Sequence, residues 1–367
     1  MPLQAVVDFK LACSCLYLWI WIFTIFLLAV EVTNLFVMSL LIAGPIVTYW
    51  LITTFAIPTP HESIVQEILG SELKGDILCE SSSSSGDVVS CPDEPTDFAM
   101  KVIAHRFAGI EAPENSLEAL ELCYKNGAVA VEFDLVLTAD FVPVLFHDVT
   151  LDRVTNIVGQ ITEKLWSEVK ELDISIKHPF HKKYEGTRIP LFEDVIKKCV
   201  DWDLRMFIDV KDDRPETVNV VLKMYEKYPK MYKRTIVSSF NGIFLYNIRR
   251  ANPAIVVSMA WRPLYMSCKK YSLKQADCVP YSTFIPAHCV ARLMDHVTTW
   301  LFNHIAHHLI GFSAVLICKD IITPETVLCW RAKNVRLFAW TVNNPLEKLH
   351  FSRNLGIGYF TDSMLGE

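Results

Sequence analysis

Side chains able to move protons, hold a cation or grip a phosphate gather at the ends of apolar runs in this chain. His105 and Arg106 close the run Val102-Ile103-Ala104, Glu132 and Asp134 sit within AVEFDLVL, His147-Asp148 ends VPVLFHD, and Asp209 and Lys211 end RMFIDVK. Glu132 and Asp134 are two positions apart, so on a strand both point to one side. Like charges so placed repel unless a cation or a proton lies between them. With Asp209 they form an all-oxygen donor set suited to Mg²⁺ or Ca²⁺ rather than zinc. His105 and His147 can serve as acid and base, because imidazole titrates near neutral pH. Arg106 and Lys211 supply fixed positive charge of the kind that holds a phosphate. Taken together, this is the chemistry of phosphoester cleavage.

Such residues must be brought to one place. From Lys101 onward, eight short β-rich runs alternate with helical patterns: VIAHR, AVEFDLVL, RMFIDVK, RTIVSSF, AIVVSMA, SAVLICK, RLFAWTVN and GYFTDS. Alternation of this kind predicts an α/β fold, a parallel sheet wrapped by helices, here a (β/α)8 TIM barrel. In such a barrel the C-terminal strand ends converge on the active-site face. A ninth run, Val142–Asp148, follows its predecessor too closely for a parallel crossover and must return as a hairpin. A turn centred between Asp140 and Phe141 would set His147 opposite Asp134.

Several neighbours admit two roles. Asn115 with Glu118 reads as a helix N-cap pair, with Gly127 ending that helix; Asn115 and Glu114 equally suit a place behind the ligands. Asp148 is either a turn residue or the group that orients His147. Trp340 is core or a wall that contacts substrate, and Thr361-Asp362 orders the barrel rim. His304, His307 and His308 have helical spacing but no accompanying carboxylate or cysteine, so they read as surface. The segment 290–311 carries the apolar stripe Val290, Leu293, Val297, Leu301 and Ile305. It is expected to cover the barrel, the alternative being a helix on a bilayer surface.

The N-terminal part is of another kind. Mean hydropathy is +0.27 for the whole chain, and from Leu11 to Ile57 the only charged residue is Glu31. A span needs about 20 apolar residues, so this run predicts two transmembrane helices, 11–30 and 35–57, after a tail at 1–10. It is too long for the core of a cleaved signal peptide, which is roughly 7–15 residues. Residues 58–98, with Pro58, Pro60 and the run Ser81–Ser85, read as a linker, leaving 99–367 for the barrel. The expectation is therefore a multi-pass integral protein of the plasma membrane or an endomembrane, with the lipid bilayer as a partner. A net charge of −6 gives no basic surface for nucleic acid. The eleven cysteines form no CxxC pair; Cys79 and Cys91 could pair in an oxidising compartment. Lys10 favours a cytosolic N-terminus and, with two spans, a cytosolic barrel.

The span from about Val102 to Met364 resembles a glycerophosphodiester phosphodiesterase domain, on the ordered motifs AHR, PENS, VEFD, PVLFHD followed by LDRVT, FIDVK, SSF, WTVN and TDS. It is most similar to the membrane-anchored glycerophosphoinositol phosphodiesterase type, which also has aspartate before VK. The resemblance implies a barrel of the phosphoinositide-phospholipase-C-like kind. His105 and His147 would be its acid/base pair, Glu132, Asp134 and Asp209 its metal ligands, and Arg106 and Lys211 its phosphate contacts. It implies metal-dependent hydrolysis of glycerophosphodiesters such as glycerophosphoinositol to glycerol-3-phosphate and an alcohol, and it favours a luminal or extracellular barrel. The alternatives are a lysophospholipase-D-like enzyme acting on lysophospholipids or glycerophospho-N-acylethanolamines, and a catalytically weak membrane scaffold. One departure stands out: the family's HRG is HRF here, so the Phe107 ring either lines the pocket as an apolar wall or packs under the following loop.

Overall fold

The structure, a computed structural model, describes residues 2–27, 35–76, 98–270 and 279–365. All eight β-rich runs form parallel strands. They are β1 (Val102–Ala104), β2 (Ala130–Leu137), β4 (Arg205–Val210), β5 (Thr235–Ser239), β6 (Val257–Trp261), β9 (Ala314–Cys318), β10 (Arg336–Trp340) and β11 (Gly358–Thr361). Their order is β1-β11-β10-β9-β6-β5-β4-β2, and β1 pairs with β2 to close the barrel. Among the described residues, two short strands, β7 (Cys268–Lys270) and β8 (Val279–Pro280), pair only with each other.

Period-two alternation carries each strand from core to site. Ile103, Ala130, Phe207, Phe338 and Phe360 are buried in one apolar cluster inside the barrel. Two residues further along the same faces stand His105, Glu132, Asp209, Trp340 and Asp362. Phe207, Phe338 and Phe360 pack edge to face at centroid distances of 5.6, 5.1 and 6.2 Å, an arrangement that aromatic quadrupoles favour.

Part of the segment read as linker joins this core. Glu62–Leu69 is a helix whose Val65, Ile68 and Leu69 are buried in the same cluster. The 3–4 spacing gives it one apolar face, and Arg205 Nε fastens it by donating to Ile68 O (2.8 Å). Ser81–Ser85, Cys79, Cys91 and Glu31 lie outside the described residues.

The ninth run does return as a hairpin: β3 (Pro143–Leu145) is antiparallel to β2. Its register, however, differs by one residue from the expectation. Leu135 pairs with Leu145 and Val136 with Val144, and Phe146 N donates to Asp134 O (3.1 Å), so Phe146 rather than His147 lies opposite Asp134. The turn has three residues, because Thr138 N donates to Val142 O and Phe141 takes φ 59°. A left-handed residue in a tight turn is uncommon outside glycine and asparagine, and nothing in Ala-Asp-Phe announces it.

The chain forms two compact units, one of Pro60–Arg262 with Phe312–Glu367 and one of Met1–Thr59 with Pro263–Gly311. The helix expected to cover the barrel, Ile285–Leu301, therefore belongs to the second unit. The residues that follow it bring Ile305 into a buried cluster with Leu11 and Cys15, against which Tyr49, Ile52 and Trp300 pack. In the same unit, helices Pro2–Leu27 and Leu35–Phe55 approach closely where a Cβ on Gly44 would meet the Trp19 ring at 2.8 Å. Among the described residues one stretch, Phe9–Phe26, is long and apolar enough to cross a membrane. A multi-pass arrangement is thus not supported by a second such stretch.

Candidate active site

Glu132, Asp134 and Asp209 each present a carboxylate oxygen within 4.8 Å of the others, all three buried. The barrel register explains the encounter, since Asp134 on β2 pairs directly with Asp209 on β4. Lys211, two residues beyond Asp209, places Nζ on Asp209 Oδ2 and 3.1 Å from Asp134 Oδ1. Burial opposes the ammonium, but Asp209, Asp134 and Glu132 outweigh it and raise the Lys211 pKa. Burial, with the charges of Asp134 and Asp209, pushes Glu132 well above the usual carboxylate range. Asp134 is held low against its own burial by Lys211, His147, Arg106 and the Asn115 amide. The buried Asp209 Oδ1 has no hydrogen-bond donor, and Asp134 Oδ1 is faced by the Lys211 ammonium alone. Three converging carboxylates, with a buried Asp209 oxygen left without a donor, fit a hard divalent cation.

His105 opens the turn after β1. Its Nδ1 donates to Asp362 Oδ1 (2.6 Å), and its Nε2 lies 3.8 Å from Glu132 Oε2. Asp362, at the end of β11, is itself fixed by Asn343, whose Nδ2 donates to Oδ2 (2.8 Å) and whose Oδ1 accepts from the Asp362 amide (2.8 Å). Burial raises the Asp362 pKa, but the His105 contact and the Asn343 bond lower it further, so it is ionised.

The next three residues, Arg106, Phe107 and Ala108, all have left-handed backbone, φ 50°, 64° and 57°. Such residues cost roughly 1–2 kcal/mol each relative to right-handed backbone. The turn aims Arg106 N at Glu132 Oε2 (2.9 Å) and leaves Arg106 O to accept from Asn115 N (3.1 Å). Arg106 NH1 donates to Glu114 Oε1 (3.1 Å), and its Nε lies 3.5 Å from Asp134 Oδ2. Burial works against the guanidinium charge, yet Asp134, Glu114 and Glu132 together raise its pKa.

Asn115 does not cap the following helix, Leu117–Lys125. Ser116 does, its Oγ accepting from Ala119 N (3.0 Å). With φ 56°, a conformation asparagine tolerates, Asn115 turns inward and holds Asp134 twice. Nδ2 donates to Asp134 Oδ2 (2.7 Å), and Oδ1 accepts from the Asp134 amide (3.1 Å). Gly127 ends the helix as expected, at φ 80°.

His147 follows β3 and is oriented by its neighbour, Nδ1 donating to Asp148 Oδ1 (2.6 Å). Arg153 then ties this corner to the first. Its Nε donates to Asp148 Oδ2, and NH1 and NH2 reach Glu114 Oε2 (2.9 Å) and Oε1 (2.6 Å). A continuous chain of charge-assisted bonds thus runs from His147 through Asp148, Arg153 and Glu114 to Arg106.

The family model for the glycerophosphoryl diester phosphodiesterase family matches residues 105–365. The chain belongs to that family. It is 34% identical over 266 residues to glycerophosphodiester phosphodiesterase 1 of Bos taurus, covering 72% of this chain and 78% of the relative. The Homo sapiens protein of that name is 32% identical over 267 residues, with the same coverages of 72% and 78%. In fold it is similar to an Oleispira antarctica phosphodiesterase solved with the product sn-glycerol-3-phosphate, at a TM-score of 0.55 and 23% identity, covering 71% of this chain and 92% of that one. A glycerophosphodiester phosphodiesterase from Agrobacterium tumefaciens matches at a TM-score of 0.54 and 18% identity over 72% of this chain and 97% of that one.

Two residues of this phosphodiesterase's site escaped the sequence reading. Asp362 does more than order the rim, since it holds His105, and Arg153 does more than complete a motif, since it ties Asp148 to Glu114; their signals are the TDS and LDRVT runs themselves. Phe107 is settled the other way from a pocket wall. Its ring is buried against Phe133 with centroids 5.3 Å apart, and its carbonyl accepts from Cys123 Sγ (2.8 Å). Trp340 tops the core, its Nε1 donating to Leu316 O (3.0 Å) and its ring edge-on to Phe240 at 5.9 Å.

Proposed function

We propose that this phosphodiesterase hydrolyses water-soluble glycerophosphodiesters, such as glycerophosphoinositol, to glycerol-3-phosphate and the free alcohol. The observation that carries the proposal is the convergence of three buried carboxylates with two imidazoles, each imidazole held at Nδ1 by its own carboxylate. That leaves both Nε2 atoms for proton transfer. One imidazole accepts the proton of the nucleophile, which family chemistry suggests is the glycerol 2-hydroxyl, and the other delivers a proton to the departing alcohol oxygen. With the roles reversed, water then opens the resulting cyclic phosphate, its proton going to the second imidazole while the first protonates the glycerol 2-oxygen, and glycerol-3-phosphate is released. Arg106 and Lys211 bind the phosphate oxygens and stabilise charge gathering on them, while Trp340 borders the alcohol. Glu132, Asp134 and Asp209 would hold Mg²⁺ or Ca²⁺, which when bound supplies Lewis-acid stabilisation of the phosphoryl oxygens. The product reported with the Oleispira antarctica enzyme supports glycerol-3-phosphate as the product here.

The decisive experiment is turnover of glycerophosphoinositol by chelated protein with and without added Mg²⁺ or Ca²⁺, beside Glu132→Gln. Activity restored by cation in wild type and absent in the folded variant is expected. A Glu132→Gln protein with wild-type turnover would sink the three-carboxylate reading. Action on lysophospholipids is the second reading, favoured by the apolar helical unit carried on the same chain. Helix Pro2–Leu27 is proposed as a membrane anchor and Leu35–Phe55, with Ile46, Trp50 and Phe55 exposed, as its apolar companion. Cys268 is disulfide-bonded, which supports an oxidising, luminal or extracellular side.

A further inference from the structure

Helix Ile285–Leu301 is inverted relative to a helix that floats one face in water. Its apolar side chains Val290, Leu293, Val297 and Leu301 are 61, 60, 40 and 39% exposed, and Phe284 and Ile285 just ahead of them are 67 and 75% exposed. The one buried residue of the helix is Asp295, whose Oδ1 accepts from Met266 N (2.8 Å). The exposed side carries no Asp, Glu, Lys or Arg, since Arg292 is half-buried and Asp295 is buried. Soluble monomers rarely leave an apolar stripe of this kind uncovered.

The helix also shares a compact unit with the N-terminal helix, whose Leu16, Ile20, Trp21 and Ile25 are exposed in turn. The two are joined through the buried cluster of Ile305 with Leu11 and Cys15. Tyr281 and Phe284 stand exposed just ahead of the helix, and Tyr265 is exposed next to Met266, which Asp295 holds; aromatic side chains concentrate at the headgroup level of bilayers. Arg292 and Asp295 near mid-helix argue against a span.

We propose that the exposed stripe of helix Ile285–Leu301 lies flat in the interfacial layer of the bilayer that the N-terminal helix enters. The occupant is lipid at the boundary of headgroups and acyl chains, the layer that takes the apolar face of an in-plane helix. The insert that carries this helix leaves the barrel after Trp261, at the C-terminal end of β6, and the chain re-enters at β9. A second membrane contact is thereby built into a barrel connection rather than into the anchor. The proposal rests on the anchor reading, and the test separates the two.

Full-length protein carrying C13S, C289S and C329S is reconstituted into phosphatidylcholine vesicles. A polarity-sensitive fluorophore is placed on Leu293→Cys, Val297→Cys, Ile20→Cys or, as a barrel control, Glu325→Cys. Retained turnover of a soluble substrate shows that each labelled protein is folded. Spin-labelled lipid with a shallow nitroxide should quench the labels at 293 and 297 by roughly twofold or more, with less quenching by a deep nitroxide, as for an in-plane helix. The label at 20 should respond to the deep nitroxide, and that at 325 to neither. Quenching of the 293 and 297 labels by aqueous iodide alone, with the 20 label still lipid-quenched, overturns the proposal and leaves the anchor standing. Disulfide cross-linking between copies through Leu293→Cys, without lipid quenching, assigns the stripe to a second copy and also overturns it. If no label meets lipid, the anchor reading falls and the proposal with it.

Discussion

His105 Nδ1 and Asp362 Oδ1 lie 2.6 Å apart although 257 residues separate them in the chain. They meet because β1 and β11 are neighbours, with Ala104 in register with Thr361, and each residue stands one step past that pair. The ionised carboxylate keeps the proton of the neutral imidazole on Nδ1, freeing Nε2, and stabilises the imidazolium once it forms.

Asp362→Asn keeps the shape and an acceptor but removes that charge. kcat should fall roughly 10²–10⁴-fold, the range of general acid–base contributions, with KM and thermal stability little changed. A variant with full kcat would leave Asp362 as a rim residue only.

The two imidazoles should divide the work. A substrate with a nitrophenolate leaving group needs no acid, so it should restore turnover to only one of His105→Ala and His147→Ala. Equal losses on natural and activated substrates would refute the division. Normal cleavage of a 2-deoxyglycerol diester would exclude the substrate hydroxyl as nucleophile.

Arg153 should make stability depend on acid. Burial raises the pKa of both Glu114 and Asp148, but the Arg153 bonds to Glu114, and those of His147 and Arg153 to Asp148, bring both below the ordinary range. For a carboxylate lowered on folding, the stabilisation is present above the unfolded-state pKa, about 4, and is lost as pH falls through the folded-state value. The Tm difference between wild type and Arg153→Met should therefore be largest near neutral pH and shrink below about pH 4. A pH-independent difference would mean that the arginine acts by packing.

Phe107→Gly relieves one left-handed residue, worth about 1 kcal/mol, but removes a ring buried against Phe133. Deleting a buried Phe costs about 3–5 kcal/mol, so net destabilisation is expected in chemical unfolding. The ratio of kcat/KM for acylated and water-soluble diesters should stay unchanged. A shift in that ratio at wild-type stability would return the ring to the pocket.

What the sequence determined by itself was whatever depends on residue type and near spacing. Eight runs with β character, apolar residues two positions before polar ones, and carboxylates sharing one strand face are local facts, and the barrel inherits them through its period of two. The apolar N-terminal run is local in the same way. Tertiary structure decided what depends on which distant residues become neighbours. It paired Asp362 with His105, spanned Glu114 and Asp148 with Arg153, and turned Asn115 from a presumed cap into the clamp on Asp134, because each needs atoms from separate segments within about 3 Å, the reach of a hydrogen bond. It also shifted the β2–β3 register by one residue through a left-handed Phe141, and drew the helix after β6 into the unit of the N-terminal helices. Amphipathic spacing shows that a helix has an apolar face; only the packed neighbours determine whether that face is buried or left exposed.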